Sequence, residues 1–431
     1  MCDLTAIESS TSRVKDSSSS AFLFVALFLF FWITTNPFSL LGAASTDGPL
    51  ADNSNFINQI VTLALTGGLL IFAFNNPARA AIFRPRFLLA MIFIWYLFAS
   101  MLSAHPDLAI KRVILALLTC LNASIFLHLP RSDKHFATLL GMAMLFTLAV
   151  AYYGVFFLPS LGIHQASDAF EPMLAGYWKG HFAHKNVAAG IMVMAVFFGL
   201  FLCNSERRVL GILIIVLSVF FLSKTGGKTS TAALPAILVV AWVFENWKWT
   251  RIPIAIGGSL AINLFTVGSA VFEPIRSLLK GFGIDTTFTN RTDIWNFAFS
   301  AIAEKPFTGY GLQAFWQTSE VIYSGGKMET WAVNATSAHN AYLDTLLSAG
   351  IPGLILTVIW LIILPLHYVS KADTSGNNPH MTRLFVRLWL YGIITACVES
   401  MFFQSGSPLW FAFLFSVFGL RLQGQARLIS G

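Results

Sequence analysis

An all-α integral membrane fold is predicted by three features of this sequence. Of its 431 residues, 56% are hydrophobic and only 11% charged, whereas soluble chains carry about a quarter charged residues. Apolar runs of roughly 17 to 25 residues, long enough to cross a hydrocarbon core, recur along the chain. Lys and Arg cluster in alternate connections between those runs, as the charge bias of membrane topology requires. A mean hydropathy of +0.70 leaves a soluble core no part in the explanation.

The runs predict about twelve transmembrane helices, near residues 20–41, 56–75, 87–104, 109–129, 136–157, 186–204, 208–223, 230–246, 252–272, 345–369, 383–403 and 408–423. The first follows Arg13 and Lys15 and precedes Gly42-Ala43-Ala44, the outline of a signal peptide, but its apolar run is too long for that role and reads as an anchor. Arg79, Arg84 and Arg86, then Arg131 and Lys134, Arg207 and Arg208, Lys248 and Arg251, Lys371 and Arg383, and Arg421 and Arg427 share a face with Arg13 and Lys15. That face is read as the cytoplasm, which puts both termini of this multi-pass chain inside. The expected organisation is a Ser/Thr-rich disordered cytoplasmic tail over 1–19, nine helices over 20–272, a large periplasmic loop over 273–338, three helices over 339–423 and a cytoplasmic tail over 424–431. No soluble domain and no internal repeat is evident.

Several function classes are excluded at this level. The net charge of +7 is dispersed among apolar spans rather than gathered in a patch, so nucleic acid is not an expected partner. Cys2, Cys120, Cys203 and Cys397 are scattered without ligand spacing, which predicts neither a disulfide framework nor a zinc site. No His/Asp/Glu cluster suggests another metal, and no cofactor is expected. Asp285, Asp293, Glu304 and Glu329 are too dispersed to form a catalytic carboxylate pair.

Within the large loop, Arg291-Thr292-Asp293 opens a helical apolar pattern at Ile294, Trp295, Phe297, Ala298, Ala301 and Ile302, with Asn290 as N-cap and Pro306 and Gly309-Tyr310-Gly311 as terminators. Such an amphipathic helix is expected on the membrane surface, presenting Arg291 near its start.

The outward connections also gather Trp178-Lys179-Gly180-His181-Phe182-Ala183-His184-Lys185-Asn186, then Lys224 and Lys228-Thr229-Ser230, Arg291, and Ser337-Ala338-His339-Asn340. If the bundle closes, these four regions meet at one outward cavity where an anion such as pyrophosphate would neutralise the cations. Arg offers a planar fork for phosphate oxygens and Lys a mobile point charge. For any single Lys or Arg the alternative is snorkelling to the headgroups; recurrence at four outer helix ends weakens it for the set. His339, at the border of the loop and a membrane helix, suits a general base toward a sugar hydroxyl, and a helix-capping histidine is its structural alternative. His184 has the same two readings.

The run Arg291-Thr-Asp-Ile-Trp through Lys305-Pro306-Phe-Thr-Gly309-Tyr-Gly311, followed by His339-Asn340-Ala-Tyr-Leu and Gly350-Ile-Pro-Gly353-Leu, resembles the O-antigen ligase and Wzy-type polysaccharide polymerase superfamily. The segments from Trp178 to Asn186 and Lys228-Thr229-Ser230 are similar to those of ExoQ-type exopolysaccharide polymerases. The resemblance extends from about Ser103-Ala-His105-Pro106, with Arg112, to the helix after Gly353. Its departures are Lys179, where Arg is expected, and Gly226-Gly227 before Lys228, which leaves Lys224 and Lys228 as rival candidates.

The resemblance implies inverting, metal-independent glycosyl transfer at the outer leaflet from an undecaprenyl-pyrophosphate-linked oligosaccharide. Arg291 and His339 would be catalytic, and Lys185, His184, Lys228, Lys179, Arg112 and Asn340 would bind pyrophosphate or sugar. It also implies membrane lipid as surroundings, with a chain-length regulator and an export channel as partners. Within it, polymerase is the first expectation and an O-antigen ligase transferring glycan to lipid A core the second. A flippase or transporter of lipid-linked sugars is the third, opposed by the long outer loop and by the scarcity of charge in the middle of the spans.

Overall fold

Each apolar run of the sequence forms a helix in the computed structural model, which describes residues 4–38, 56–84, 86–168, 171–283, 288, 291–322 and 331–425. Among the described residues eight helical segments are long and apolar enough to cross a membrane. They are α2 (Phe56–Asn75), α4 (Pro106–Phe126), α5 (Asp133–Phe157), α6 (Lys185–Cys203), α7 (Arg208–Thr225), α8 (Lys228–Asn246), α9 (Lys248–Val271) and α12 (Ala341–Ala372). Three shorter apolar helices complete most of the bundle: α1 (Leu4–Ile33), apolar over Ser18–Ile33, α3 (Phe87–Met101) and α14 (Pro408–Gln423). The twelfth, α13 (Pro379–Thr395), carries Arg383 and Arg387 on an otherwise apolar helix. In the large loop between α9 and α12 lie α10 (Glu273–Gly281) and α11 (Arg291–Glu304). The protein is therefore an all-α, multi-pass membrane protein.

Helices α6 and α14 form the centre of the bundle, with nearly every residue of both buried. Aromatic rings tie α1 to that centre, Phe31 stacking on Phe411 at 4.1 Å and Trp32 lying against Phe198 at 5.4 Å. Large exposed apolar side chains, among them Phe87, Val209 and Trp242, cover the outer helix faces, as a lipid-facing surface requires.

The connections that the charge pattern grouped on one face do meet at one end of the bundle. Lys134 pairs with Glu206 at 2.9 Å, Arg251 forms a bidentate pair with Asp373 at 2.7 and 3.1 Å, and Arg383 and Arg387 share Glu245. At the other end Ser103 donates to the carbonyl of Tyr310, the Trp178 amide to that of Lys224 (3.1 Å), and Lys185 to that of Gly226 (3.2 Å).

Three expectations change. Helix α1 begins at Leu4, inside the stretch expected to be a disordered tail; extending an anchored helix adds one bond per residue without a new nucleus. The run read as a span over 383–403 leaves the helix at Thr395, so residues 396–407 form a connection at the end of the bundle that bears the large loop. Helix α11 does not rest its apolar face on a membrane surface. Ile294, Trp295, Ala298 and Ala301 are buried, and its cluster with Val267, Phe315, Leu343 and Leu347 packs against the ends of α9 and α12. Asn290, Asp285 and Glu329 lie outside the described residues.

The loop before α12 is fixed by a break in that helix. Gly350 has φ 63° and ψ −168°, a conformation essentially reserved for glycine. The break frees the carbonyls of Leu347 and Ser348, which accept from the amides of Tyr310 (2.7 Å) and Gly311 (3.0 Å), while Ile351 donates to Pro306 at 2.8 Å. Gly309, at φ +64°, passes so near this backbone that an added Cβ would stand 2.5 Å from the Leu347 oxygen. The Lys305–Gly311 and Gly350–Gly353 motifs are thus two halves of one joint.

Candidate functional site

Arg291 and His339 meet on a carboxylate. Arg291 is the first residue of α11, where the helix dipole disfavours a cation; its guanidinium donates to the carbonyl of Val398 and, at 3.2 Å, to Glu399. The other Glu399 oxygen lies 3.6 Å from Nδ1 of His339. His339 has φ +48°, in the left-handed region that few non-glycine residues enter. That turn sets its ring beside Glu399 just ahead of α12. All three side chains keep some exposure, 23, 36 and 30% for Arg291, His339 and Glu399, so a ligand can reach them.

Burial would raise the pKa of Glu399, but the hydrogen bond from His339 and the charge of Arg291 outweigh it and hold the carboxyl below its usual range. The group is a charged carboxylate at neutral pH, bridging a fixed cation and an imidazole.

The backbone around this trio is clamped. Trp295 donates from its indole to the Ala338 carbonyl at 2.9 Å. Asp344 accepts from the Ala338 amide (3.0 Å), the Trp316 indole (2.8 Å) and the Ser400 hydroxyl. Asn340 caps α12 through the Leu343 amide (2.9 Å) and donates to Asn263 (2.6 Å) and Cys397 (2.7 Å). The residues before and after His339, and the one after Glu399, are therefore held by buried hydrogen bonds. In this structure Asn340 is occupied in positioning its neighbour, with its amide committed to protein partners.

The 178–186 region approaches from the side. His184 caps α6: its Nδ1 accepts from the Asn186 amide at 3.1 Å, so Nε2 carries the proton and donates to Glu171 at 3.0 Å. Burial lowers the His184 pKa; Glu171 acts to raise it, Lys185 to lower it and Glu399 to raise it, and the net shift is downward. His184 is thus neutral at neutral pH and within electrostatic reach of Glu399. Lys185 is buried, lies over the Tyr177 ring at 4.5 Å and bonds to Gly226. Lys228, exposed at the start of α8, is within electrostatic reach of Lys185. Lys224 is turned over Phe220 instead, at 5.7 Å. Of the two rival cations, Lys228 is therefore the one that joins the cluster. Lys179 is buried near His164.

A cavity of about 590 Å³ opens beside the trio, bordered by Ser337, Ser400, Asp344, Gln313, Trp316 and Trp32. Among the site residues named from the sequence, Arg112 alone lines it, its guanidinium bonded to the Gln313 carbonyl. The others stand at its edge or on the His184–Lys185 side. His181 also lines it, with Nε2 on the Trp32 carbonyl at 2.9 Å and its pKa pushed down to about 4 by burial, and is neutral. Among the described residues no group of three or more His, Cys, Asp or Glu is placed to hold a metal ion.

Glu399 and Asp344 were not found from the sequence. Glu399 sits in an apolar stretch read as a membrane span, and an ionisable residue within such a span was the available signal. Asp344 is a lone acid in the first turn of α12, which its N-terminal dipole accounts for without any site.

A multi-pass helical bundle with an Arg–Glu–His group and clustered cations at the end bearing its largest loop defines a membrane protein with a built polar site. Residues 212–358 match the family described as O-Antigen ligase. Over that region the chain is similar to the O-antigen ligase and Wzy-type superfamily, and an exopolysaccharide production protein is among the proteins it resembles. It is 25% identical over 137 residues to the exopolysaccharide production protein ExoQ of Rhizobium meliloti, covering 30% of this chain and 29% of that protein. It is 26% identical over 204 residues to the general O-oligosaccharyltransferase of Acinetobacter baylyi (43 and 35%), and 22% identical over 228 residues to an uncharacterized protein of Haemophilus influenzae (48 and 57%). The matched regions span 29 to 57% of the length of those proteins.

Proposed function

We propose that the protein is a glycosyltransferase-type exopolysaccharide polymerase, joining undecaprenyl-pyrophosphate-linked oligosaccharide units at the periplasmic face of the inner membrane, with both termini in the cytoplasm. The observation that carries this reading is the placement of Arg291, Glu399 and His339 together beside a cavity at one end of the bundle. The ExoQ similarity supports the polymer as product.

In the proposed reaction, an acceptor sugar hydroxyl attacks the anomeric carbon of the donor. The bond from that carbon to the pyrophosphate oxygen breaks with inversion, and the lipid pyrophosphate leaves with the bonding pair. His339 takes the hydroxyl proton, held in place by Glu399. Arg291, with Lys185 and Lys228, faces the charge that the leaving group gains. The cavity lined by Arg112, Trp32 and Trp316 would hold the sugar, its aromatic faces and polar edges suiting a ring with alternating C–H and O–H surfaces. A chain-length regulator and an export channel are the proposed partners.

The test is turnover of purified protein with a defined lipid-pyrophosphate oligosaccharide, scored for extended product with and without chelator. Elongation that survives chelation is expected; no product, or loss on chelation, refutes the proposed mechanism. A second reading, transfer to a non-polymer acceptor, is favoured by the similarity to the general O-oligosaccharyltransferase. A deletion strain that keeps its secreted polymer but loses long-chain lipopolysaccharide would establish it in place of the first.

A further inference from the structure

At the opposite end of the bundle, a pocket of about 200 Å³ opens between the start of α3, the second half of α12 and the end of α14. Its walls carry Arg86, Arg421, Trp360 and Tyr368. Arg86 lies over the Phe418 ring at 5.0 Å, and its one hydrogen bond among the described residues is a 3.4 Å contact from Nη2 to the Ile82 carbonyl. Its Nε is buried without a hydrogen-bond partner among the described residues. Arg421 stands within electrostatic reach of Arg86, and Arg84 within reach of Arg421.

Five of the other cations at this end are differently placed. Lys134, Lys248, Arg251, Arg383 and Arg387 each face Glu206, Asp373 or Glu245. Among the described residues none of Arg84, Arg86 and Arg421 has an ion pair, and no carboxylate shapes the titration of Arg86 or Arg421. His128, also in reach, is pushed down to about 4 by burial and then by Arg86 and Arg421, so it is neutral and adds no positive charge of its own. Concentrated positive charge in a partly buried, partly aromatic pocket is costly unless an anion fills it.

We propose that this pocket binds the phosphodiester headgroup of an anionic phospholipid, with Arg86 and Arg421 on the phosphate and an acyl chain along the exposed ring of Phe87. Phe87 is 77% exposed beside the pocket mouth, on a surface that faces lipid, which places an acyl chain and a headgroup within reach of each other. Basic pockets between membrane helices at the inner leaflet recognise such headgroups, and each cation near the surface is worth about a fivefold change in affinity. The inference does not depend on the reaction proposed above, only on which leaflet this end meets.

The experiment uses the full chain purified in zwitterionic detergent and counts bound lipid by native mass spectrometry. The probes are phosphatidylglycerol, phosphatidylcholine of the same acyl composition, and inorganic phosphate as competitor. Wild type is expected to retain phosphatidylglycerol and not phosphatidylcholine. Arg86→Gln and Arg421→Gln should each weaken retention about fivefold, and Arg208→Gln, an exposed arginine at the same end, should leave it unchanged. Equal retention of both lipids, equal loss in the Arg208 variant, or no loss in the pocket variants would overturn the proposal. Displacement of the lipid by phosphate at equal concentration would assign the pocket to a free anion instead. In lipid-free detergent Arg421→Gln should melt no lower than wild type, because it removes repulsion; if either pocket variant fails to fold, the headgroup comparison on wild type decides.

Discussion

Replacing Glu399 by Gln tests whether the carboxylate acts through His339 or merely holds the loop. The substitution keeps shape and one carbonyl oxygen, which can accept from Arg291 or from His339 but not from both. Arg291 retains its bond to the Val398 carbonyl, so the loop keeps its anchor. The lost contact is a hydrogen bond between charged or polarised groups, worth about 1.5–3 kcal/mol, or roughly ten- to hundredfold in turnover. Elongation by purified protein should therefore show kcat reduced by about that factor. KM for the lipid-linked donor should stay constant or fall, because Arg291 no longer shares its fork with a carboxylate and is freer to meet a phosphate. The 3.6 Å separation of His339 and Glu399 is long for a hydrogen bond, as ligand-free catalytic contacts commonly are. A double variant with His339→Ala should be no slower than His339→Ala alone, itself down by about 10² to 10⁴. Wild-type kcat in the Gln variant, or a loss additive with that of His339→Ala, refutes the positioning role.

Thermal unfolding across pH should report the same carboxylate. Glu399 is held below its ordinary value of 4.5, so its stabilisation is complete above pH 4.5 and is lost as pH falls through the lower folded value; the melting difference between wild type and Glu399→Gln should be constant from pH 7 to 5 and shrink below. Arg291→Lys should keep the charge but lose the fork, lowering kcat/KM about tenfold or more, measured against Arg291→Gln. Asn340→Ala removes a helix cap and leaves buried acceptors unpaired, so the melting point should fall in line with about 1–3 kcal/mol, while the pH profile of the residual activity stays as in wild type. Gly350→Ala sets a Cβ 2.2 Å from the Phe307 oxygen at a positive φ, and should destabilise by about 1–3 kcal/mol from strain alone, read as a lower melting point and loss of the Tyr310 and Gly311 contacts.

The spans were legible because length and apolarity alone decide whether a segment crosses lipid, and the grouping of connections at one end of the bundle because Lys and Arg recur in alternate connections. What failed was anything set by a helix end that the apolar pattern does not mark. Residues 396–403 are apolar apart from Glu399 and Ser400, so the exit of α13 at Thr395, and with it Glu399, was hidden in a run read as continuous. Helix α11 was recognised by its period, but period does not say whether an apolar face meets lipid or protein; the partners Val267 and Leu347 lie far off in sequence. The glycine motifs divide differently from the way they attract the eye. Gly309, Gly311 and Gly350 build the joint between the loop and α12, and their part is to fix where the loop re-enters the bundle. Arg291 and His339 stand at the two borders of that loop, each at the start of a helix, and helix starts are where a chain can turn a side chain out of its packing pattern. Glu399 stands at a third such border, between α13 and α14. Three helix junctions converge on one point, so the site is a property of how the ends of the bundle meet, and the residue that joins them belongs to no motif of its own.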